Sequence, residues 1–170
     1  MNFEKLPTLP PAFESDGTVT AANSSSISDG AAAAVVAAAD VAKRLGAKPL
    51  ARVVGQAGAA GAPEWFTVQP SAAIRRLLNK INWSLNEVDL LEINEAFASV
   101  VLAAMRDLEL DPDRVNVHGG AVALGHPVGA SGTRILGTLL HAMERYGRRR
   151  GIASACLGGG EAVALAVERV

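Results

Sequence analysis

Residues 119–132 read GGAVALGHPVGASG and place His126 on a backbone too rich in glycine to belong to an ordinary core. A strand-like run at residues 114–117 precedes this segment. An apolar stripe with helical spacing follows it, formed by Leu136, Leu139, Leu140 and Met143. The segment is therefore predicted to connect a strand to a helix.

The rest of the chain repeats this alternation of strands and helices. Further strands are predicted at residues 51–56, 88–93, 152–156 and 162–167. Two more apolar stripes with helical spacing lie between the predicted strands. The first follows the strand at 51–56 and is formed by Ile74, Leu77, Leu78 and Ile81. The second follows the strand at 88–93 and is formed by Phe97, Val100, Val101, Ala104 and Leu108. Such alternation predicts an α/β fold with a mainly parallel sheet and right-handed crossovers.

The N-terminal part follows a different pattern. Residues 1–28 are rich in Pro, Ser, Thr and Asn and predict an extended or looped arm. Residues 31–39 are apolar throughout and predict a further strand, and residues 41–45 predict a short helix that ends at Gly46. Neither piece has an obvious partner in the sequence.

Composition limits the classes of protein to which the chain can belong. It has 170 residues, 49% of them hydrophobic, which is enough for one packed core with a small addition. A formal net charge of −1 gives no support to nucleic-acid binding. The chain has a single cysteine, no basic-then-apolar leader and no apolar stretch long enough for a bilayer. We therefore expect a soluble cytoplasmic protein without nucleic-acid or membrane partners.

A second segment carries the other candidate group. Residues 156–160 read CLGGG and place Cys156 in front of three glycines, which expose their backbone N–H groups. Asn94 follows the predicted second strand, His126 follows the third, and Cys156 ends the fourth. Because ligands gather at the carboxyl ends of strands in open α/β sheets, these residues are expected to meet in one pocket. A histidine, a thiol and exposed amides are suited to acyl chemistry.

Each candidate also has an ordinary structural interpretation. A lone cysteine is most often a small buried apolar residue, and a histidine in a Gly-Pro turn is often only a loop residue. His118 either faces the pocket or hydrogen-bonds its own turn, and the sequence leaves both open.

Three separated blocks resemble the thiolase family of acetyl-CoA acetyltransferases and 3-ketoacyl-CoA thiolases: residues 94–98 (NEAFA), 116–132 and 151–160 (GIASACLGGG). Residues 16–30 are similar to a fourth segment of the family. The resemblance implies an α/β thiolase-like C-terminal domain with a mixed, mostly parallel five-stranded sheet, helices on both faces and an N-terminal arm. It implies three regions: an arm at 1–28, a remnant of the thiolase N-terminal half at 29–49, and the C-terminal domain at 50–170.

The resemblance also implies residue roles. His126 would activate the acyl-accepting cysteine and contact a thioester oxygen, and Asn94 would hold the water that completes that oxyanion site. Cys156 would be the acid/base at the α-carbon of acetyl-CoA, and the Gly158 N–H would belong to a second oxyanion hole. The positions that match the coenzyme A site are Ala21, Ser25, Ala96 and Phe97. Coenzyme A thioester would be a substrate, with no permanently bound cofactor and no metal.

Thiolases are more than twice as long as this chain and carry their nucleophilic cysteine in the first of two similar halves. The resemblance therefore implies that the nucleophile lies in an N-terminal half outside this sequence, that the partner is such a half or a further copy of the chain, and that the chain alone is inactive. One alternative is a non-catalytic remnant or interaction subunit. Another is ketoacyl synthase chemistry, although those enzymes generally have a histidine or asparagine at the position of Cys156.

Overall fold

The structure is a computed structural model that describes residues 2–170. Strands and helices alternate through its second half. The strands are β1 (Ala51–Ala60), β2 (Leu90–Ile93), β3 (Arg150–Leu157) and β4 (Glu161–Arg169). The α-helices are α1 (Ala39–Arg44), α2 (Gln69–Ile81), α3 (Ala98–Leu108), α4 (Ala121–Leu124) and α5 (Ser131–Arg145). The predicted α/β class is confirmed.

The strands form one mixed sheet in the order β1-β4-β3-β2. Only β2 and β3 are parallel, and β4 runs antiparallel to both β3 and β1. The predicted mostly parallel, five-stranded sheet is therefore wrong in strand count and in orientation. The turn at residues 158–160 joins β3 directly to β4, and so short a connection can only produce an antiparallel pair.

The predicted strand at residues 114–117 is absent as a strand, and Asn116 explains why. Val115 makes one isolated parallel bridge to Leu91, but Asn116 then adopts the left-handed region at φ 48° and turns the chain away. Its side-chain amide takes the place of a neighbouring strand's backbone beside β2. The Asn116 Oδ1 accepts from the Ile93 N–H at 2.7 Å, and Nδ2 donates to the Ile93 carbonyl at 2.9 Å. One side chain thus completes the edge of β2.

Apolar residues are buried on both faces of the sheet. Ile152 of β3 packs with α2 and α3, whereas its neighbour Ala153 packs with α5 on the opposite face. In α2 the predicted stripe is buried at Ile74, Leu77 and Leu78. The predicted helices on both faces are confirmed.

Residues 31–38 form no strand, so the strand predicted at residues 31–39 is wrong. Val35 and Val36 are 99% and 81% exposed, and no neighbouring strand offers them a ladder. Alanine-rich sequence also has little intrinsic strand preference. The short helix predicted next is confirmed as α1, and Gly46 follows it at φ 65°, the left-handed conformation typical of a helix end.

Among the helices of residues 2–170, none combines the length and the apolar composition that a membrane crossing requires.

Replacing Asn116 with alanine should lower the free energy of unfolding by about 2–4 kcal/mol, because the buried backbone groups of Ile93 lose their partner and alanine is strained at positive φ. Asn82→Ala is the matched control, since Asn82 is exposed and shares the left-handed backbone at φ 54°. That variant should lose only about 1–2 kcal/mol, the strain alone. Chemical denaturation of both variants measures the difference. Equal losses would show that the amide pairing contributes nothing.

Candidate active site

Asn94, His126 and Cys156 line one cavity of about 450 Å³, together with Gly158. Asn94 is the residue after β2, and Cys156 lies near the end of β3. Because β2 and β3 are parallel, their carboxyl ends lie at the same edge of the sheet. The predicted meeting of these residues in one pocket agrees with this geometry.

The backbone of His126 is held on two sides. Gly125 adopts φ 92°, and a Cβ there would overlap the Ser28 hydroxyl. The His126 N–H donates to the Ser26 carbonyl at 2.9 Å, which attaches the arm to the glycine-rich segment. The arm that looked unstructured in the sequence therefore forms part of the wall around His126.

The imidazole of His126 contacts two polar side chains. Its Nδ1 lies 2.6 Å from Ser131 Oγ, and its Nε2 lies 3.4 Å from Asn94 Nδ2. Burial lowers the pKa of His126, and the positive charge of Arg134 lowers it further. The ring is therefore neutral near neutral pH, which is the form that can accept a proton.

Cys156 is half-buried against the core between the sheet and the helices α2 and α3. Burial raises the pKa of its thiol, and a backbone hydrogen bond opposes this only in part. The thiol is therefore protonated at neutral pH. A neutral base and a neutral acid then face one cavity, the combination needed to move a proton to and from a bound molecule.

Asn94 is 1% exposed and is fixed by its backbone, since its N–H donates to the Ser154 carbonyl at 2.9 Å. Its side chain bridges His126 and a residue that the sequence analysis missed. Asn94 Oδ1 accepts from Arg134 Nη2 at 3.5 Å. Arg134 lies one turn into α5, behind the cavity.

Glu92 is a second residue that the sequence analysis missed. It is 2% exposed within β2, and its Oε1 lies 3.6 Å from Arg134 Nη1. Burial raises the pKa of Glu92 to about 8, which outweighs the opposing attraction of Arg134. A carboxylate in the apolar run Leu90-Leu91-Glu92-Ile93 was the available signal.

The buried Glu92 should make stability depend on pH in an unusual direction. Its pKa in the fold lies above its ordinary value of 4.5, so the folded protein holds this proton more tightly. The resulting stabilisation is complete in acid, falls between about pH 4.5 and 8, and is lost above that range. Since each pKa unit corresponds to about 1.4 kcal/mol, the loss should be on the order of 3–5 kcal/mol.

Glu92→Gln, which mimics the protonated carboxyl, should remove this pH slope. Urea unfolding at several pH values measures it, with the exposed Glu109→Gln as the control that keeps the wild-type slope. A slope unchanged in Glu92→Gln would show that Glu92 is ionised in the fold at neutral pH.

The four residues predicted for coenzyme A binding lie at different distances from the cavity. Ala96 lines it. Ser25 is bonded to Ala96, because both its N–H and its hydroxyl donate to the Ala96 carbonyl, at 3.1 and 2.9 Å. Phe97 lies one layer behind, edge-on to the cavity residue Phe66 with ring centroids 6.2 Å apart. Ala21 lies in an exposed turn of the arm, apart from the lining residues.

His118 is exposed, and its ring lies 5.5 Å from that of Tyr146 rather than among the residues of the cavity wall. The structure therefore does not place His118 in the wall of this cavity.

Fold and site together define an α/β protein with a neutral acid/base pair at the carboxyl edge of a mixed sheet. Sequence comparison then identifies the family. The thiolase C-terminal domain matches residues 47–169, and the thiolase N-terminal domain matches residues 1–40. The chain belongs to the thiolase family.

Relatives are similar over nearly all of the chain. The acetyl-CoA acetyltransferase of Chromobacterium violaceum is 51% identical over 96% of this chain and 42% of its own length. The cytosolic acetyl-CoA acetyltransferase of Mus musculus is 51% identical over 99% of this chain and 43% of its own length. The chain thus spans about two-fifths of the length of these relatives.

Solved structures agree with these relatives. The Bacillus anthracis acetyl-CoA acetyltransferase superposes with a TM-score of 0.95 at 49% identity, covering 98% of this chain and 42% of that one. The human mitochondrial 3-ketoacyl-CoA thiolase in complex with CoA superposes with a TM-score of 0.93 at 42% identity, covering 100% and 43%. The predicted thiolase-like fold is confirmed.

Proposed function

We propose that this chain contributes part of the active site of a CoA-dependent acyltransferase. The reaction is the condensation of two acetyl-CoA molecules or the thiolysis of a 3-ketoacyl-CoA. The observation that carries the proposal is the single cavity lined by Asn94, His126 and Cys156, with a neutral imidazole and a protonated thiol. The names of the relatives support the same reaction class.

The reaction requires one thiol as nucleophile and another as acid/base, and Cys156 is the only cysteine in the sequence. We assign the nucleophile to residues outside this sequence, in a thiolase N-terminal half or another subunit. That thiolate attacks the acyl-CoA carbonyl, and CoA leaves as the thiol. His126 takes the proton from the nucleophile and contacts the thioester oxygen, and Asn94 holds a water that completes the oxyanion site.

Carbon–carbon bond formation then uses Cys156. The Cys156 thiol first loses its proton to solvent, and the thiolate then removes a proton from the α-carbon of a second acetyl-CoA. The enolate attacks the acyl-enzyme carbonyl and expels the nucleophilic cysteine as a thiolate, which takes up a proton and restores the starting state. The Gly158 N–H stabilises the developing enolate oxygen. Thiolysis runs the same steps backwards, so the protonated thiol of Cys156 returns the proton to carbon. The half-buried position of Cys156 supports this role, because desolvation makes its thiolate a stronger base.

Coenzyme A thioester enters this scheme as a substrate, and no cofactor is held between turnovers. Ala96 contributes the cavity wall, Ser25 fixes Ala96, and Phe97 backs the wall through Phe66. We assign Ala21 to the outer end of the pantetheine path, where its exposure permits contact. A cytoplasmic location is proposed with the same function, and two relatives carry "cytosolic" in their names.

In the assembled enzyme, Cys156→Ser should lower acetoacetyl-CoA cleavage by about 10²–10⁴-fold, the usual contribution of a general acid/base. The same variant should keep measurable exchange of the acetyl group between CoA molecules, because exchange moves no α-proton. Both reactions are followed on one preparation with labelled CoA and with acetoacetyl-CoA. Equal loss of both in a folded Cys156→Ser enzyme would rule out this division of roles.

His126→Ala should lose exchange and cleavage together, by about 10²–10³-fold or more, because both need an activated nucleophile and its oxyanion contact. His118→Ala is the matched control, since that ring lies against Tyr146 outside the cavity wall. It should leave both reactions unchanged. Retained exchange in His126→Ala would contradict the role given to this imidazole.

The 170-residue chain alone should neither condense acetyl-CoA nor cleave acetoacetyl-CoA, because a base without its nucleophile has nothing to activate. Addition of a thiolase N-terminal half that can assemble with it should produce turnover. Full activity of the chain alone would overturn the assignment of the nucleophile to another segment.

A further inference from the structure

The guanidinium of Arg134 is buried on one side, although the side chain as a whole is 21% exposed. Its Nε and Nη1 are inaccessible to solvent and have no hydrogen-bond partner within the described residues. Within the described residues, the one hydrogen bond of the guanidinium runs from Nη2 to Asn94 Oδ1, at 3.5 Å. A guanidinium has five N–H donors, so leaving most of them unpaired is costly unless the arrangement serves another purpose.

Glu92 holds the guanidinium in this position. Its Oε1 lies 3.6 Å from Nη1, while Nη2 points towards Asn94. The two ends of one rigid, planar group are thus directed to two different residues of the β2 edge.

The contact with Arg134 decides the orientation of the Asn94 amide. The oxygen and nitrogen ends of an asparagine side chain have nearly the same shape but opposite hydrogen-bonding roles. Because a guanidinium only donates, Oδ1 must face Arg134. The NH₂ end, Nδ2, therefore faces His126 Nε2, at 3.4 Å.

That orientation and the contact with Ser131 together decide where His126 carries its proton. Because Nδ2 only donates, Nε2 must present its lone pair, and the single proton of the neutral ring lies on Nδ1. Nδ1–H then donates to Ser131 Oγ at 2.6 Å, and the Ser131 hydroxyl donates its own proton to the Pro127 carbonyl at 3.0 Å. Turning the Asn94 amide over would place an N–H against the guanidinium N–H.

We propose that Arg134 is a positioning residue that fixes the Nδ1–H tautomer of His126 through the orientation of the Asn94 amide. The arrangement leaves Nε2 as the basic nitrogen. Its catalytic consequence rests on the proposed function, in which His126 accepts a proton. The tautomer itself does not depend on that function and can be measured without turnover.

The test is ¹⁵N NMR of histidine-labelled protein at a pH where the rings are neutral. Protonated and unprotonated ring nitrogens resonate far apart, and the nitrogen couplings to ring protons distinguish Nδ1 from Nε2. The chain has three histidines, and His126→Gln assigns the signals of interest by their loss. In the wild type, His126 should show a single Nδ1–H form.

Arg134→Met should convert His126 to a mixture of both tautomers, because the amide can then turn over. Arg134→Lys keeps one donor and should restore most of the Nδ1–H form. Arg114→Met is the matched control, because the Arg114 guanidinium lies beside β2 but bonds to the backbone carbonyls of Leu85, Val88 and Asp89 instead of Asn94. It should leave the His126 signals unchanged.

If Arg134→Met fails to fold, the double variant Glu92→Gln with Arg134→Met removes the cation together with the buried carboxyl beside it and should show the same mixture. An Nε2–H form in the wild type overturns the proposal. So does an unchanged Nδ1–H form in a folded variant that lacks Arg134. Either result leaves the proposed acyl transfer untouched, since that is judged by the exchange and cleavage assays.

Discussion

The parallel pairing of β2 with β3 is the constraint on which the site depends. Its register places Ile93 opposite Ser154, and the ladder continues one step further when the Asn94 N–H bonds to the Ser154 carbonyl. Asn94 and Cys156 are thereby brought from 62 positions apart to one edge of the sheet. A slip of one residue would turn the Asn94 side chain to the opposite face and away from His126.

The segment that carries His126 is attached to β2 by side-chain hydrogen bonds instead of a backbone ladder. Asn116 completes the edge of β2, and it also donates to Glu95 Oε1 at 3.1 Å. Glu95 in turn accepts from the Val122 N–H at 3.0 Å, at the start of α4. A Cβ at Gly120 would overlap this carboxylate, so the glycine allows the close approach. The segment that carries His126 is thus tied to β2 rather than left as a free loop.

Periodic apolar patterns were sufficient to predict the strands that became β1 to β4 and the helices α2, α3 and α5, because these elements bury a repeating set of side chains. Apolar periodicity does not give strand direction, but the short glycine segment between the last two strands already indicated that β3 and β4 are antiparallel. The strand prediction at 114–117 was wrong because the side-chain amide of Asn116, instead of a strand backbone, bonds to the edge of β2. Residue propensities do not predict such a replacement. Arg134 was missed because its contact with Asn94 exists only in the fold. Glu92 could have been found in the sequence as a carboxylate within an apolar run.

The positive charge of Arg134 has two opposing effects on the proposed reaction. In the proposed reaction, negative charge develops on thioester oxygens, and a cation behind Asn94 favours it. The same cation lowers the pKa of His126 and so resists the proton that this ring must accept. Glu92 does not balance the positive charge of Arg134 at neutral pH, because burial keeps its carboxyl largely protonated. The lowered pKa of His126 therefore favours a short-lived imidazolium over a long-lived one. A ring that returns its proton readily is suited to a cycle in which His126 first accepts a proton and then passes it to the departing CoA.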